Sequence, residues 1–193
     1  MAIKKLNPHS LVEGMEAYMK VMYWFFSFPN KGISLNDLSK AVSISKTTAN
    51  RVVSQLAAEK FLLIEKIGKL WRITSNQDHS YCLTRKIPYN LGLIYESGIL
   101  DDIPNHVENP RAIILFGSYR NGDDTEDSDI DIAVEVISNE DLRIVPMRKM
   151  KMFGYREDVQ VNLHVFSRNH IDLNLFANIA NGIVLDGFLE VRP

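Results

Sequence analysis

Two apolar runs joined by a dense acidic loop constrain this chain more than any other feature of it. The first, AIILF at 112–116, is continuous and ends at Gly117-Ser118. It reads as a buried strand. The second, DIDIAVEV at 129–136, alternates. Successive strand residues face opposite ways, so Asp129, Asp131, Ala133 and Glu135 share one side and Ile130, Ile132, Val134 and Val136 the other. Two carboxylates therefore project from one face, roughly 7 Å apart along the strand. Six acids crowd the nine positions from Asp123 to Asp131. Ionised carboxylates this close repel, and a divalent cation relieves the repulsion. Mg2+ accepts one or two carboxylates together with substrate phosphates. The Gly-Ser turn fits the same chemistry. Glycine allows close approach of backbone to a phosphate, and the Ser118 hydroxyl can donate to a phosphate oxygen. A helix starting there adds a favourable field for anions. Arg120 reads as either a charge contact or a solvated side chain. Asp123, Asp124, Glu126 and Asp127 read as a solvated loop.

Gly117-Ser118, ten residues, then Asp129-Ile130-Asp131 make the pattern GS-x10-D-x-D. With its flanks ILFGSYRNG and EDSDIDIAV, it resembles the nucleotidyltransferase superfold related to polymerase beta. The likeness is to the minimal nucleotidyltransferases in particular, and it covers about 105–193. The resemblance implies that Gly117 and Ser118 hold the phosphates of an NTP. It also implies that Asp129 and Asp131 are the catalytic pair and bind Mg2+ (or Mn2+). The implied reaction moves a nucleotide monophosphate onto a hydroxyl and releases pyrophosphate. A third carboxylate, from a neighbouring strand, normally completes such a site. The candidate strand is DVQVNLHVFS, 158–167. There Val159, Val161, Leu163 and Val165 face a core, and Gln160, Asn162 and His164 face away from it. The family's third acid falls at Asn162, which is neutral and cannot act as a base. Metal affinity should fall, and activation of the acceptor needs another group. His164 is one option, as a general base or a metal ligand. Glu157 and Asp158, at the start of the strand, are weaker candidates. Some minimal nucleotidyltransferases act as antitoxins that modify a HEPN-family toxin, so a toxin-like protein partner is one expectation.

Charge divides the chain. Residues 1–86 hold 13 Lys/Arg against 6 Asp/Glu, and residues 87–193 hold 9 against 18. A basic half joined to an acidic half suggests a polyanion partner for one and cations for the other. In the basic half, Ser10 and Glu13 have capping-box spacing. Leu11, Met15, Tyr18, Met22 and Phe25 then repeat at helical spacing over 10–27. Ser34 can cap a short helix carrying Leu35, Leu38 and Val42. Ser45 can cap a second that buries Ala49, Val52, Val53 and Leu56. This second helix leaves Lys46, Thr47, Thr48, Asn50, Arg51 and Gln55 outside, which are residue types that meet phosphates and base edges. FLLIEKIGKLWRITSN, 61–76, reads as two short strands around Gly68, with Lys66, Lys69 and Arg72 near the tip. The order helix-turn-helix then basic hairpin resembles the winged helix-turn-helix domain of transcription regulators. That resemblance implies DNA binding through Lys46, Thr47, Thr48, Asn50 and Arg51, and by analogy a homodimer.

The expected fold is thus α+β in two domains. A winged helix-turn-helix occupies 1–78, a helical connector 79–108, and a small mixed-sheet nucleotidyltransferase domain 109–193. In the connector, Leu91, Ile94 and Tyr95 mark a helix that Gly98 ends, and a shorter helix, interrupted by Pro104, runs over Leu100 to Val107. Within the last domain, helices are expected over 140–153, with Pro146 tolerated or kinking, and over 168–181. IVLDGFLEV closes the chain as an edge strand or docking tail. His79, His106 and His170 read as surface residues. The single cysteine, Cys82, excludes an internal disulfide and fits a cytoplasmic setting. No apolar stretch approaches a membrane span. Two functional readings stand, and the intact Gly-Ser turn and D-x-D speak against a third, a purely structural interaction module. One is a Mg2+-dependent nucleotidyltransferase tethered to DNA, and the other a transcription regulator or antitoxin-like protein that binds nucleotide but is catalytically weakened.

Overall fold

The structure, a computed structural model, describes residues 8–68 and 70–191, with side chains from residue 15 onward. The Ser10–Glu13 capping box, Leu11 and Lys69 lie outside those side chains. The chain forms two compact units, 1–81 and 82–193.

The first unit starts with helix α1 (Pro8–Ser27), which buries Val21, Met22, Trp24, Phe25 and Phe26. Helix α2 (Leu35–Ala41) is capped by Ser34, whose Oγ accepts from the Asp37 amide at 3.2 Å. Helix α3 (Lys46–Ala58) is capped by Ser45, which accepts from the Thr48 amide at 3.1 Å. Between them Ser43 takes φ 53. Such a left-handed residue makes the sharp turn possible. Strands β1 (Leu62–Ile67) and β2 (Leu70–Ser75) pair antiparallel, and Ile33 bridges Ile73 at the base of the hairpin. His79 is not a plain surface residue. It stacks edge-on with Phe61 and Tyr81, and its Nε2 lies 3.0 Å from the Glu59 carbonyl.

The second unit is a five-stranded sheet with helices on both faces. Its strands are β3 (Ala112–Phe116), β4 (Ile130–Glu135), β5 (Arg143–Phe153), β6 (Arg156–Phe166) and β7 (Ile183–Gly187), in the order β5-β6-β4-β3-β7. β4 and β6 run parallel and the other pairs antiparallel. The Ile130, Ile132 and Val134 face joins Val159, Val161, Leu163 and Val165 in one core. Against that core lie helix α4 (Ile87–Glu96), the short helix α5 (Ile99–Asp102) and a 3-10 turn, Ile103–Asn105. A π-helical turn, Cys82–Lys86, leads into α4. On the opposite face, Ala112, Ile114, Phe116, Ala133 and Phe166 meet helix α7 (Leu173–Ala180) and Leu189.

Two expected helices are otherwise. Residues 140–153 hold edge strand β5, not a helix. Met147, Met150 and Phe153 are buried at three-residue spacing, which imitates a helical stripe. The register shift between Pro146 and Arg148 is the cause of the first interval: a bulge inserts one residue and offsets the strand's alternation. Pro146 is tolerated because β5 is an edge. The span 168–181 is not one helix either. A 3-10 turn at Arg168–His170 gives way to extended Ile171, and Asp172 then caps α7 by accepting from the Asn174 amide at 2.9 Å. The closing segment is both an edge strand, β7, and a docking tail through buried Leu189.

Candidate active site

β3 delivers the Gly-Ser turn. Gly117 takes φ 71 and ψ −154, a combination essentially confined to glycine. A Cβ there would sit in ordinary contact, 3.4 Å from Asp131 Oδ2, so this carboxylate lies beside the Gly117 backbone, and the positive φ is what calls for glycine. Ser118 opens a single helical turn, α6 (Ser118–Asn121), which Gly122 ends at φ 78. Pairing of β3 with β4 sets Asp131 directly opposite Phe116. Asp129 lies just before β4 and is exposed, and Asp131 is half-buried.

The parallel strand β6 completes the arrangement. Asn162 is in register with Asp131 and His164 with Ala133. Both alternate with buried Val161, Leu163 and Val165, so they share the face of the two acids. Asn162 Nδ2 donates to Asp129 Oδ2 at 3.2 Å, and His164 Nε2 lies 3.0 Å from Asp131 Oδ1. His164 Nδ1 is buried without a partner, and the ring sits edge-on to Phe116 with centroids 4.9 Å apart. The proton therefore belongs on Nε2, where it donates to Asp131 and orients it. Gly117, Asp129, Asp131, Asn162 and His164 are thus brought together, with Ser118 on the adjoining turn. Glu157 and Asp158 are exposed near the hairpin end of β6, and Asp158 has φ 53. Among the described residues no three His, Cys, Asp or Glu side chains form a metal-holding group.

The acidic loop is not uniformly solvated. Asp124 is only 3 % exposed, and Lys86, 2 % exposed, donates to its carbonyl at 2.5 Å and lies 3.2 Å from its Oδ1. Asn90 Nδ2 donates to the same Oδ1 at 2.7 Å and to the Tyr119 carbonyl at 3.1 Å. Burial pushes the Asp124 carboxyl above the usual carboxylate range, against the pull of Lys86 and Asn90. Burial also raises the Tyr119 phenol, although Arg156 opposes it. Sequence reasoning missed this support. Its only signal was a cluster of six acids with too few cations nearby, because Lys86, Asn90 and Arg156 come from distant positions. Arg120 donates to its neighbour Asn121 at 3.3 Å.

At the far end of the same sheet face, buried Glu135 accepts from Arg168 Nε at 3.1 Å and Nη2 at 2.9 Å. Arg168 also meets Glu190 at 2.8 Å, and the Glu190 and Glu135 carboxylates hold its guanidinium above its ordinary value. This network ties the tail to the sheet.

In the first unit, Lys46, Thr47, Asn50, Arg51 and Gln55 are exposed along α3. Thr48 is half-buried, and its Oγ1 lies 2.9 Å from Ser45 Oγ, so it serves the cap.

Residues 100–186 match the family model described as Polymerase beta, Nucleotidyltransferase. The match runs from α5 to β7 and includes Gly117, Ser118, Asp129, Asp131, Asn162 and His164, while Lys86 and Asn90 lie outside it. It supports nucleotidyl transfer at the level of the family for this part of the chain, and it includes no residue of the first unit. Among curated proteins none matches the chain. No helix among the described residues is long and apolar enough to cross a membrane.

Proposed function

We propose that the second unit transfers a nucleotide monophosphate from an NTP to a hydroxyl acceptor, with Mg2+ or Mn2+ as cofactor. The observation that carries this reading is the Asp131 carboxylate lying against Gly117, with Asp129 two residues away on the same strand face. The donor set fits a hard divalent cation. Two carboxylates suffice for Mg2+ when phosphates and water complete its shell. Asp129 and Asp131 would hold the ion, which when bound offsets phosphate charge and makes an acceptor hydroxyl more acidic. The Gly117 backbone and the Ser118 hydroxyl take phosphate oxygens. His164 orients Asp131, and Asn162 does the same for Asp129. Substitution of the third acid by Asn162 removes one candidate base, so proton removal from the acceptor would rest on Asp129 or Asp131.

The same Asn162 favours a second reading, a regulator that binds nucleotide and transfers it slowly or not at all. In either case the first unit is proposed to bind DNA as a winged helix, with α3 as the element entering the major groove through Lys46, Thr47, Asn50 and Arg51. Its exposed polar face and the excess of cations over 1–86 support this. A toxin-like protein as acceptor and a homodimer remain proposals resting on resemblance. The test is incubation of the protein with each α-labelled NTP, Mg2+ and cell extract. Label carried onto an acceptor by wild type, and not by Asp129→Ala/Asp131→Ala, is the expected result. Nucleotide binding with no transfer to any acceptor would replace the enzyme by the regulator.

A further inference from the structure

The loop joining Ser118 to Asp129 is ten residues long and almost wholly polar; the β3–β4 ladder closes at Phe116 opposite Asp131, and beyond that pair the composition does nothing to hold its two ends. A buried arginine ties them together. Arg156, at the start of β6, is 6 % exposed. Its Nη1 donates to the Tyr119 hydroxyl, and its Nη2 donates to the Ser128 carbonyl at 2.6 Å. Its guanidinium carbon also lies 5.7 Å from the centre of the Tyr119 ring. Tyr119 follows Ser118 and Ser128 precedes Asp129, so one planar group grips the immediate neighbours of both. Among the described residues it forms no ion pair. Arg156 acts on the Asp124 carboxylate only through space; burying a cation with no ion pair of its own is expensive, and an apolar side chain would fill the space more cheaply. The middle of the loop is held separately, by Lys86 and Asn90 on Asp124.

We infer that Arg156 is a positioning residue that sets the separation of the Ser118 turn from Asp129, and so the spacing between phosphate and cation positions. The inference rests on the proposed nucleotide site and adds to it a residue outside the GS-x10-D-x-D pattern. The rigid fork matters, because lysine keeps the charge but cannot span two acceptors in fixed geometry.

The test compares wild type, Arg156→Lys and Tyr119→Phe, the last a milder cut of one arm should Arg156→Lys fail to fold. Amide hydrogen exchange of the ligand-free proteins is read over 118–129, and Mg2+–NTP affinity is titrated on the same samples. The expected result is exchange at least tenfold faster at 118–129, with 112–116 unchanged, and nucleotide affinity at least tenfold weaker. Asp129→Ala in the Arg156→Lys background should then add less loss than it does alone. Unchanged exchange in a folded variant overturns the inference. Faster exchange with undiminished affinity also overturns it, since the arginine would then hold the loop without positioning the site. If wild type binds no NTP, the proposed function fails, while the exchange readout still decides whether Arg156 ties the two ends.

Discussion

Restoring the missing acid, Asn162→Asp, gives a quantitative test of how the site balances charge. In the wild type, Asn162 donates to Asp129 at 3.2 Å and stands beside Asp131 in the sheet. The substitution replaces that donor by a third carboxylate. Two like charges about 4 Å apart cost about 1 kcal/mol in water and about 4 kcal/mol at an effective dielectric of 20. Asp129 is exposed, so the lower figure governs that pair. The half-buried Asp131 adds a similar amount, and the lost hydrogen bond about 1 kcal/mol more. The metal-free variant should therefore be destabilised by about 2–3 kcal/mol, which lowers Tm by roughly 10 °C in a domain near 100 residues. A cation reverses the sign. At a hundredfold excess over its Kd, a ligand specific for the folded state stabilises by about 2.7 kcal/mol. Thermal melting of both proteins in EDTA and in Mg2+ reads all of this. Asn162→Asp should melt well below wild type in EDTA and recover most of the gap in Mg2+. Equal melting in EDTA, or no gain from Mg2+, would refute the view that these three positions share one electrostatic site.

Gly117→Ala forces a side chain into a glycine-only conformation beside Asp131 and should cost about 1–3 kcal/mol. Denaturant titration measures that loss, and nucleotide affinity should fall with it. Arg168→Ala leaves the buried Glu135 carboxylate with Arg111 Nε alone, 3.9 Å from its Oε2, and the lost hydrogen bonds to a charged group should cost about 1.5–3 kcal/mol, read as a lower denaturation midpoint. Lys46→Ala/Arg51→Ala should weaken DNA binding and reduce its salt slope by roughly two, if each contacts a phosphate. A shift assay across salt concentrations checks it, and an unchanged slope would point to a protein partner for α3.

How far the fold could be read in advance depended on where its signals were local. Ser34 and Ser45 act as caps because a cap is a contact across three residues. The face assignments of β4 and β6 hold because strict alternation survives wherever no bulge intervenes. β5 was misread because its buried residues fall three apart, and the bulge set by pairing with β6 accounts for the first of those intervals. Asp124 was misread for a related reason: its burial depends on Lys86 and Asn90, whose distance along the chain hides them. Alternation put Asn162 on the outward face of its strand and the family resemblance put it with the two acids, but its hydrogen bond to Asp129 needed the parallel register.

Asp129 and Asp131, with the Gly117-Ser118 turn, are proposed to make a cation-dependent nucleotide site. Isothermal titration of each NTP into the protein with Mg2+, and again with EDTA, tests it most directly, on wild type and on Asp129→Ala/Asp131→Ala. The expected result is binding of at least one NTP that requires both Mg2+ and the two carboxylates. Binding that survives the double substitution, or no binding of any NTP to wild type, would contradict it.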